Sequence, residues 1–161
     1  EIVPIINRIL PRFEMVVLTR DWHPRDHVSF SDAPEFRDKS WPVHCVADSE
    51  GAQFHEELEI PECALIVNKG THAQTEAYSG FEGTSLAQEL EKRGVNRVFV
   101  CGLATDYCVK NTALDAVKAG FDTVLVRDAC RGVDNPPGSE EAAVEEMRQA
   151  GVQVTASQVF Q

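Results

Sequence analysis

Basic residues are scarce in this sequence relative to acidic ones. Among its 161 residues, 15 are Lys or Arg and 26 are Asp or Glu, which gives a formal net charge of −11. Phosphate backbones and anionic membrane surfaces attract clustered positive charge. We therefore expect neither a nucleic acid nor a membrane as a partner, and a neutral small molecule stays open as a substrate.

Long apolar runs are also missing. A membrane-spanning helix needs about 18 or more consecutive apolar residues, and no stretch of the sequence reaches that length. A signal peptide is not expected either, because Arg8, Pro11 and Arg12 interrupt the first residues. With 43% hydrophobic and 25% charged residues, the composition is typical of a soluble globular protein. We expect one domain over residues 1–161, long enough to bury a core.

The sequence has five cysteines, and no C-x-x-C pair occurs among them. Structural zinc clusters commonly use such pairs, so no cluster of that kind is predicted. An odd number of widely spaced cysteines favours reduced thiols in a cytoplasmic enzyme. One of them, Cys108, is a candidate for reactivity, and the others are predicted to be structural: Cys45, Cys63, Cys101 and Cys130.

Apolar runs and amphipathic segments alternate along the chain. Strands are predicted over 15–19, 64–68, 97–103, 122–128 and 152–155, and helices over 1–10, 84–93, 106–119 and 139–150. This alternation indicates right-handed parallel crossovers and hence a three-layer α/β/α sandwich with a mostly parallel, Rossmann-like sheet. In such a sheet the ligand site lies at the carboxyl ends of the strands.

Cys108 lies shortly after a predicted strand, in the first turn of the helix that begins near Asp106. Free N–H groups and the helix dipole favour a thiolate there and could stabilise an oxyanion, as acyl transfer requires. A buried helix cysteine would occupy the same position. Lys69 ends another predicted strand and either reaches solvent or lies near Cys108, where its charge would lower the thiol pKa.

Histidines are concentrated in the loop that follows the first predicted strand. Three of the five, His23, His27 and His44, fall there, and Asp21 precedes them. A carboxylate and imidazoles suit Zn²⁺, Fe²⁺ or Mn²⁺, although a polar loop with surface histidines would show the same spacing. Aromatic residues in the same region could stack on a flat ring or simply fill the core.

Six segments follow one another along the chain: TRDWHPRDHVSF (19–30), WPVHCV (41–46), GAQFH (51–55), VNKGT (67–71), AYSGF (77–81) and GLATDYCVKNTA (102–113). Together they resemble the nicotinamidase/pyrazinamidase branch of the isochorismatase-like cysteine hydrolases. The resemblance implies the isochorismatase-like hydrolase fold and hydrolysis of a linear carboxamide, nicotinamide and also pyrazinamide, through a Cys108 thioester. It further implies cytoplasmic NAD salvage and is compatible with a homo-oligomer.

The resemblance also implies a role for each matching residue. The catalytic pair would be Cys108 and Lys69. The oxyanion hole would consist of the N–H groups of Ala104 and Cys108, at a cis-peptide turn after Leu103, and the ring pocket would include Trp41 and Tyr107. One divalent metal, zinc first and iron or manganese as alternatives, would be held by Asp21, His23 and His44. His27 matches a histidine of the family loop but is not predicted to be a ligand.

One element of the family pattern has no counterpart in the sequence. The third triad member, an Asp in a D-x-Q-x-D-F pattern on an N-terminal strand, is not found in the 161 residues. We expect this Asp and the central strand that carries it upstream of Glu1. Two other functions stay open: a related amidase for another small carboxamide or carbamoyl compound, and an inactive metal- or ligand-binding domain if that Asp is truly absent.

Overall fold

The structure is a computed structural model that describes residues 1–36 and 40–160. Part of the loop predicted after the first strand, residues 37–39, lies outside the described residues. The regular elements are α1 (Val3–Ile9), β1 (Val17–Asp21), β2 (Leu65–Lys69), α2 (Leu86–Lys92), β3 (Arg97–Leu103), α3 (Lys110–Lys118), β4 (Asp122–Arg131), α4 (Ser139–Gln149) and β5 (Gln153–Thr155). A π-helical turn, Thr105–Val109, leads directly into α3, and 3₁₀ turns cover Leu10–Arg12, Glu50–Ala52 and Ser157–Phe160.

The strands are parallel, as the sequence pattern predicted, and they form two ladders. β1 pairs with β2, and β3, β4 and β5 pair in that order. Within the described residues, no backbone ladder joins β1 to β3. The central strand expected upstream of Glu1 stays a prediction.

Helices cover both faces of the three-stranded ladder, because alternate residues of β4 point to opposite sides. On one side, Leu125 packs with Ala113 of α3 and Met147 of α4. On the other side, Val126 packs with Ile9 of α1. These contacts make the α/β/α layers predicted from the alternation of elements.

A third apolar cluster connects the two ladders. Leu86 and Leu90 of α2 and Ala116 of α3 are buried together with Phe121, and partly buried side chains from β1, β2 and β3 pack against them: Val17, Leu65, Val67 and Val98. The shared helix layer therefore brings the carboxyl ends of both ladders to the same side of the molecule. In the described part of the chain, no helix is both long and apolar enough to span a bilayer.

Candidate active site

Lys69 at the end of one ladder contacts Cys108, which follows a strand of the other ladder. It ends β2 opposite Asp21 at the end of β1, since parallel pairing aligns these two residues. Its side chain is only 4% exposed. The ammonium donates to Asp21 Oδ1, to the Ala77 carbonyl at 3.0 Å and to Cys108 Sγ at 3.2 Å. An ammonium has three protons, so these three acceptors satisfy it completely.

Opposing effects set the ionisation of this cluster. Burial would lower the pKa of Lys69, but the neighbouring Cys108 and Asp21 outweigh burial and raise it. Burial raises the pKa of the Cys108 thiol to about 11, and the Lys69 charge opposes this rise. Lys69 therefore donates to the Cys108 sulfur, and its positive charge favours the thiolate form of that residue.

Cys108 lies on the π-helical turn after β3, where the sequence pattern placed the start of a helix. The Leu103–Ala104 peptide bond is cis, as the resemblance implied. The Ala104 carbonyl accepts hydrogen bonds from the N–H groups of Tyr107 and Val109, at 3.1 and 3.0 Å, one on each side of Cys108. The turn therefore places Cys108 just before the amino end of α3.

The three predicted metal ligands form one cluster. A carboxylate oxygen of Asp21 and one nitrogen each of His23 and His44 all lie within 4.8 Å of one another. His23 Nδ1 donates to the Gly70 carbonyl at 2.8 Å, and His44 Nδ1 donates to the Pro42 carbonyl at 2.8 Å. Because a carbonyl only accepts, each ring carries a proton on Nδ1, and Nε2 is the nitrogen that remains available to bind a metal.

The surroundings of His23 keep it neutral and in place. Its side chain is 1% exposed, and burial lowers its pKa, against the opposing effects of the Gly70 carbonyl and Asp21. Gly70 has a φ of +61°, and a Cβ there would lie 2.4 Å from the His23 ring. Glycine is therefore required directly after Lys69. Two imidazoles and a carboxylate are a donor set that fits a divalent transition metal.

Both ring nitrogens of His27 form hydrogen bonds with other residues of the protein. Its Nδ1 lies 2.7 Å from Ser29 Oγ, and its Nε2 lies 3.2 Å from the Thr75 carbonyl, so Nε2 carries the proton. A second group of possible donors does combine His27 with His23 and Glu76. Binding a metal there would require His27 to give up at least one of these hydrogen bonds.

An aromatic cluster lies beside Cys108 and the histidines. The ring centroids of Trp41 and Tyr107 are 4.7 Å apart at 78°, and the Trp41 and His44 centroids are 6.1 Å apart. The sequence prediction named no role for Tyr78, whose hydroxyl accepts a hydrogen bond from Trp41 Nε1 at 2.8 Å. Tyr78 lies in the AYSGF segment next to Ala77, the carbonyl acceptor of Lys69, and that adjacency was the available signal.

The four other cysteines are free thiols, but not all of them are core residues. Cys130 is fully buried and Cys101 is partly buried. Cys63 is exposed, which corrects the expectation that it is a structural core residue: it lies in the turn before β2, outside the packed layers. Cys45 lies next to the histidine cluster, and its carbonyl accepts from the His23 N–H at 3.0 Å.

The sequence profile described as the isochorismatase domain matches residues 1–159. The chain belongs to the isochorismatase family. The nicotinamidase/pyrazinamidase of Mycobacterium tuberculosis is 43% identical over 152 residues, which cover 90% of this chain and 78% of the relative.

Two solved structures of this family resemble the chain closely. The pyrazinamidase of Pyrococcus horikoshii, in complex with zinc, superposes with a TM-score of 0.86 at 45% identity, covering 96% of this chain and 84% of the other. PnC1 from L. infantum, in complex with nicotinate, superposes with a TM-score of 0.88 at 38% identity, covering 98% and 80%. The isochorismatase-like fold expected from the sequence is therefore confirmed.

Proposed function

We propose that this isochorismatase-family chain is an amidohydrolase that converts nicotinamide and water to nicotinate and ammonia, and that it also accepts pyrazinamide. The observation that carries the proposal is the contact between the Lys69 ammonium and the Cys108 thiol, 3.2 Å apart, beside the Asp21 and histidine cluster. A relative with nicotinamidase/pyrazinamidase in its name and a structural neighbour that binds nicotinate support the choice of substrate.

The reaction divides into acylation and hydrolysis of a thioester. The Cys108 thiol loses its proton to a base, the sulfur attacks the carboxamide carbon, and the C–N bond breaks as the NH2 group takes up that one proton and leaves as ammonia. Water then attacks the thioester and releases nicotinate and the thiol. Lys69 donates to the Cys108 sulfur, so we assign the role of base to another group. The Asp predicted upstream of Glu1 remains our candidate for it.

The backbone turn and the aromatic cluster supply the rest of the site in this proposal. The N–H groups of Ala104 and Cys108 form the oxyanion hole and stabilise the negative oxygen of the tetrahedral intermediate. Trp41 and Tyr107 bind the faces or edges of the pyridine ring, and Tyr78 fixes the Trp41 indole through its hydroxyl.

Asp21, His23 and His44 are the residues that would hold one divalent metal ion. When bound, such an ion supplies a Lewis acid to which a ring nitrogen can coordinate. Zinc is the first choice because a structural neighbour is described in complex with zinc, with iron and manganese as alternatives. We expect His44→Ala to lower zinc affinity by about tenfold or more, measured as metal content after dialysis, with exposed His55→Ala as the control.

Four broader predictions complete the proposal. A single domain over 1–161 is predicted from the length of the chain, and a cytoplasmic location and a place in NAD salvage follow from the resemblance to the nicotinamidase branch. A homo-oligomer is compatible with it, and light scattering coupled to size-exclusion chromatography measures that state directly.

Ammonia release tests the proposed substrate. The protein should release ammonia from nicotinamide and pyrazinamide faster than from benzamide, which lacks the ring nitrogen, and Cys108→Ala should release none above background. Faster turnover of a carbamoyl compound would favour the related-amidase alternative. Nicotinamide binding without ammonia release would favour the inactive binding domain.

A further inference from the structure

Asp106 is a buried carboxylate that the proposed reaction does not use. It lies two residues before Cys108 on the π-helical turn, and it is 7% exposed. The charges that act on the Cys108 thiol come from Lys69, Asp21 and Glu76. Burying a carboxylate costs free energy unless hydrogen bonds compensate for the lost hydration. The hydrogen-bond partners of Asp106 therefore indicate its role.

Among the residues that the structure describes, its donors lie in one neighbouring piece of chain, the segment of residues 132–139 between β4 and the first turn of α4. Oδ1 accepts from the Val133 N–H at 2.9 Å, and Oδ2 accepts from the Asp134 N–H at 2.9 Å and from Ser139 Oγ at 2.7 Å. Three of the roughly four acceptor positions of a carboxylate are thus used by this segment. The segment therefore takes up most of the hydrogen-bonding capacity of this carboxylate.

Hydrophobic burial does not hold the 132–139 segment in place. Its apolar residues Val133, Pro136 and Pro137 are exposed. A second tie comes from Thr105, which is fully buried and donates from Oγ1 to Glu140 Oε1 at 2.8 Å. Thr105 and Asp106, the two residues that precede Tyr107, therefore hydrogen-bond to the segment and to the start of α4.

Tyr107 connects this anchor to the aromatic cluster. Its hydroxyl donates to the Asn135 carbonyl of the segment at 3.5 Å, while its ring contacts Trp41 and Tyr78, with centroids 4.7 and 5.7 Å apart. The Tyr107 side chain thus lies between the anchored segment and the Trp41 ring.

We propose that Asp106 is a positioning residue that anchors the 132–139 segment and thereby holds the Tyr107 ring in place as one wall of the substrate ring pocket. Thr105 acts with it through Glu140. The proposal rests on the proposed function, since the pocket is assigned to the nicotinamide ring. It distinguishes Asp106 from a base: the residue acts on ring binding and not on the thiol.

The central test compares Asp106→Asn with the same change at Asp115, a partly exposed residue of α3 paired with Lys118. The amide keeps the size of the side chain but offers one acceptor oxygen to two backbone N–H groups. We expect KM for nicotinamide to rise about tenfold, with kcat within about threefold of wild type. Alkylation of Cys108 by iodoacetamide, which needs no ring pocket, should stay within about twofold.

Thr105 provides the conservative pair. Thr105→Ser keeps the hydroxyl and should retain the wild-type KM, whereas Thr105→Val keeps the shape, loses the bond to Glu140 and should raise KM. If Asp106→Asn does not fold, the KM values of Thr105→Ser and Thr105→Val test the proposal instead. An unchanged KM in Asp106→Asn or in Thr105→Val would overturn the proposal, as would a fall in kcat matched by slower alkylation.

Hydrogen exchange separates this proposal from the proposed function. The Val133 and Asp134 amides should exchange faster in Asp106→Asn than in wild type or Asp115→Asn. That measurement needs no turnover. If the wild-type protein releases no ammonia from nicotinamide, the proposed function fails, and unchanged exchange of these amides would independently overturn the anchoring.

Discussion

Cys108 and Cys130 lie at the same end of the sheet, but their surroundings differ. Cys130 is near the end of β4, opposite Gly102 of β3, and is fully buried. Its thiol donates to the Val126 carbonyl at 3.3 Å. Cys108 lies on the turn after β3, is only partly buried, and its sulfur accepts a hydrogen bond from the Lys69 ammonium.

The thiol pKa alone does not distinguish these two regions. Burial raises the pKa of Cys130 to about 12 and that of Cys108 to about 11. The difference lies in the partner. A carbonyl acceptor favours the protonated thiol, whereas an ammonium donor favours the thiolate. In this chain, the ammonium beside the sulfur and its partial exposure distinguish Cys108 from Cys130.

The largest expected effect is loss of the nucleophile. Cys108→Ala should lower kcat for nicotinamide by about 10⁴-fold or more, because the thioester route disappears and only binding and the oxyanion hole remain. Cys130→Ala removes a sulfur that touches no part of the proposed site and should keep kcat within about twofold of wild type. Comparable losses in both variants would contradict the distinction between the two cysteines.

Removal of the Lys69 charge should have the next largest effect. Lys69→Met should raise the Cys108 pKa above its value of about 11, because the ammonium that opposes the effect of burial is lost. The thiolate fraction at pH 8, and with it the rate of alkylation by iodoacetamide, should fall by about tenfold for each unit of that rise. Peptide mass spectrometry follows the Cys108 label across pH.

Lys110→Met is the matched control for that experiment. Lys110 lies two residues after Cys108 and forms a partly exposed ion pair with Glu146, 3.0 Å away. Its loss should leave the alkylation profile of Cys108 unchanged. In the wild-type protein the rate should climb with pH towards about 11; overlapping profiles for Lys69→Met and wild type would rule out the ammonium as the group that stabilises the thiolate.

The smallest effect is on stability. Cys130→Ala should lower the free energy of unfolding by about 1 kcal/mol, since it removes a fully buried sulfur from the core between β4, α3 and α4. Urea unfolding measures this change, and exposed Cys63→Ala should leave the midpoint unchanged. A larger loss in Cys63→Ala than in Cys130→Ala would reverse the assignment of core and surface.

Local sequence pattern predicted the elements better than their ends. β3 was predicted over 97–103 and is observed as Arg97–Leu103. β4 runs to Arg131, beyond the predicted end at 128, because its last residues pair with Gly102 and Leu103 after a register shift in the ladder. Pairing with a neighbouring strand, which no local pattern contains, decides where such a strand stops.

The site divides in the same way. The resemblance supplied Cys108, Lys69 and the Asp21, His23 and His44 set, and the structure brings all of them to one edge. The resemblance did not identify Tyr78 or Asp106, because their hydrogen-bond partners are distant in sequence. Tyr78 contacts Trp41, and Asp106 contacts the 132–139 segment. An aromatic or an acidic residue has no local signature for such contacts.

The sequence by itself determined the alternating elements, the position of Cys108 after an apolar strand, and the residue types of the nucleophile and ligand sets. It did so because hydrophobic periodicity and short motifs are local properties of a chain. Only the tertiary structure decided that Lys69 meets Cys108, that His23 and His44 present Nε2, and that Asp106 anchors a loop. Those outcomes depend on parallel register and on hydrogen-bond partners that folding brings together from distant parts of the chain.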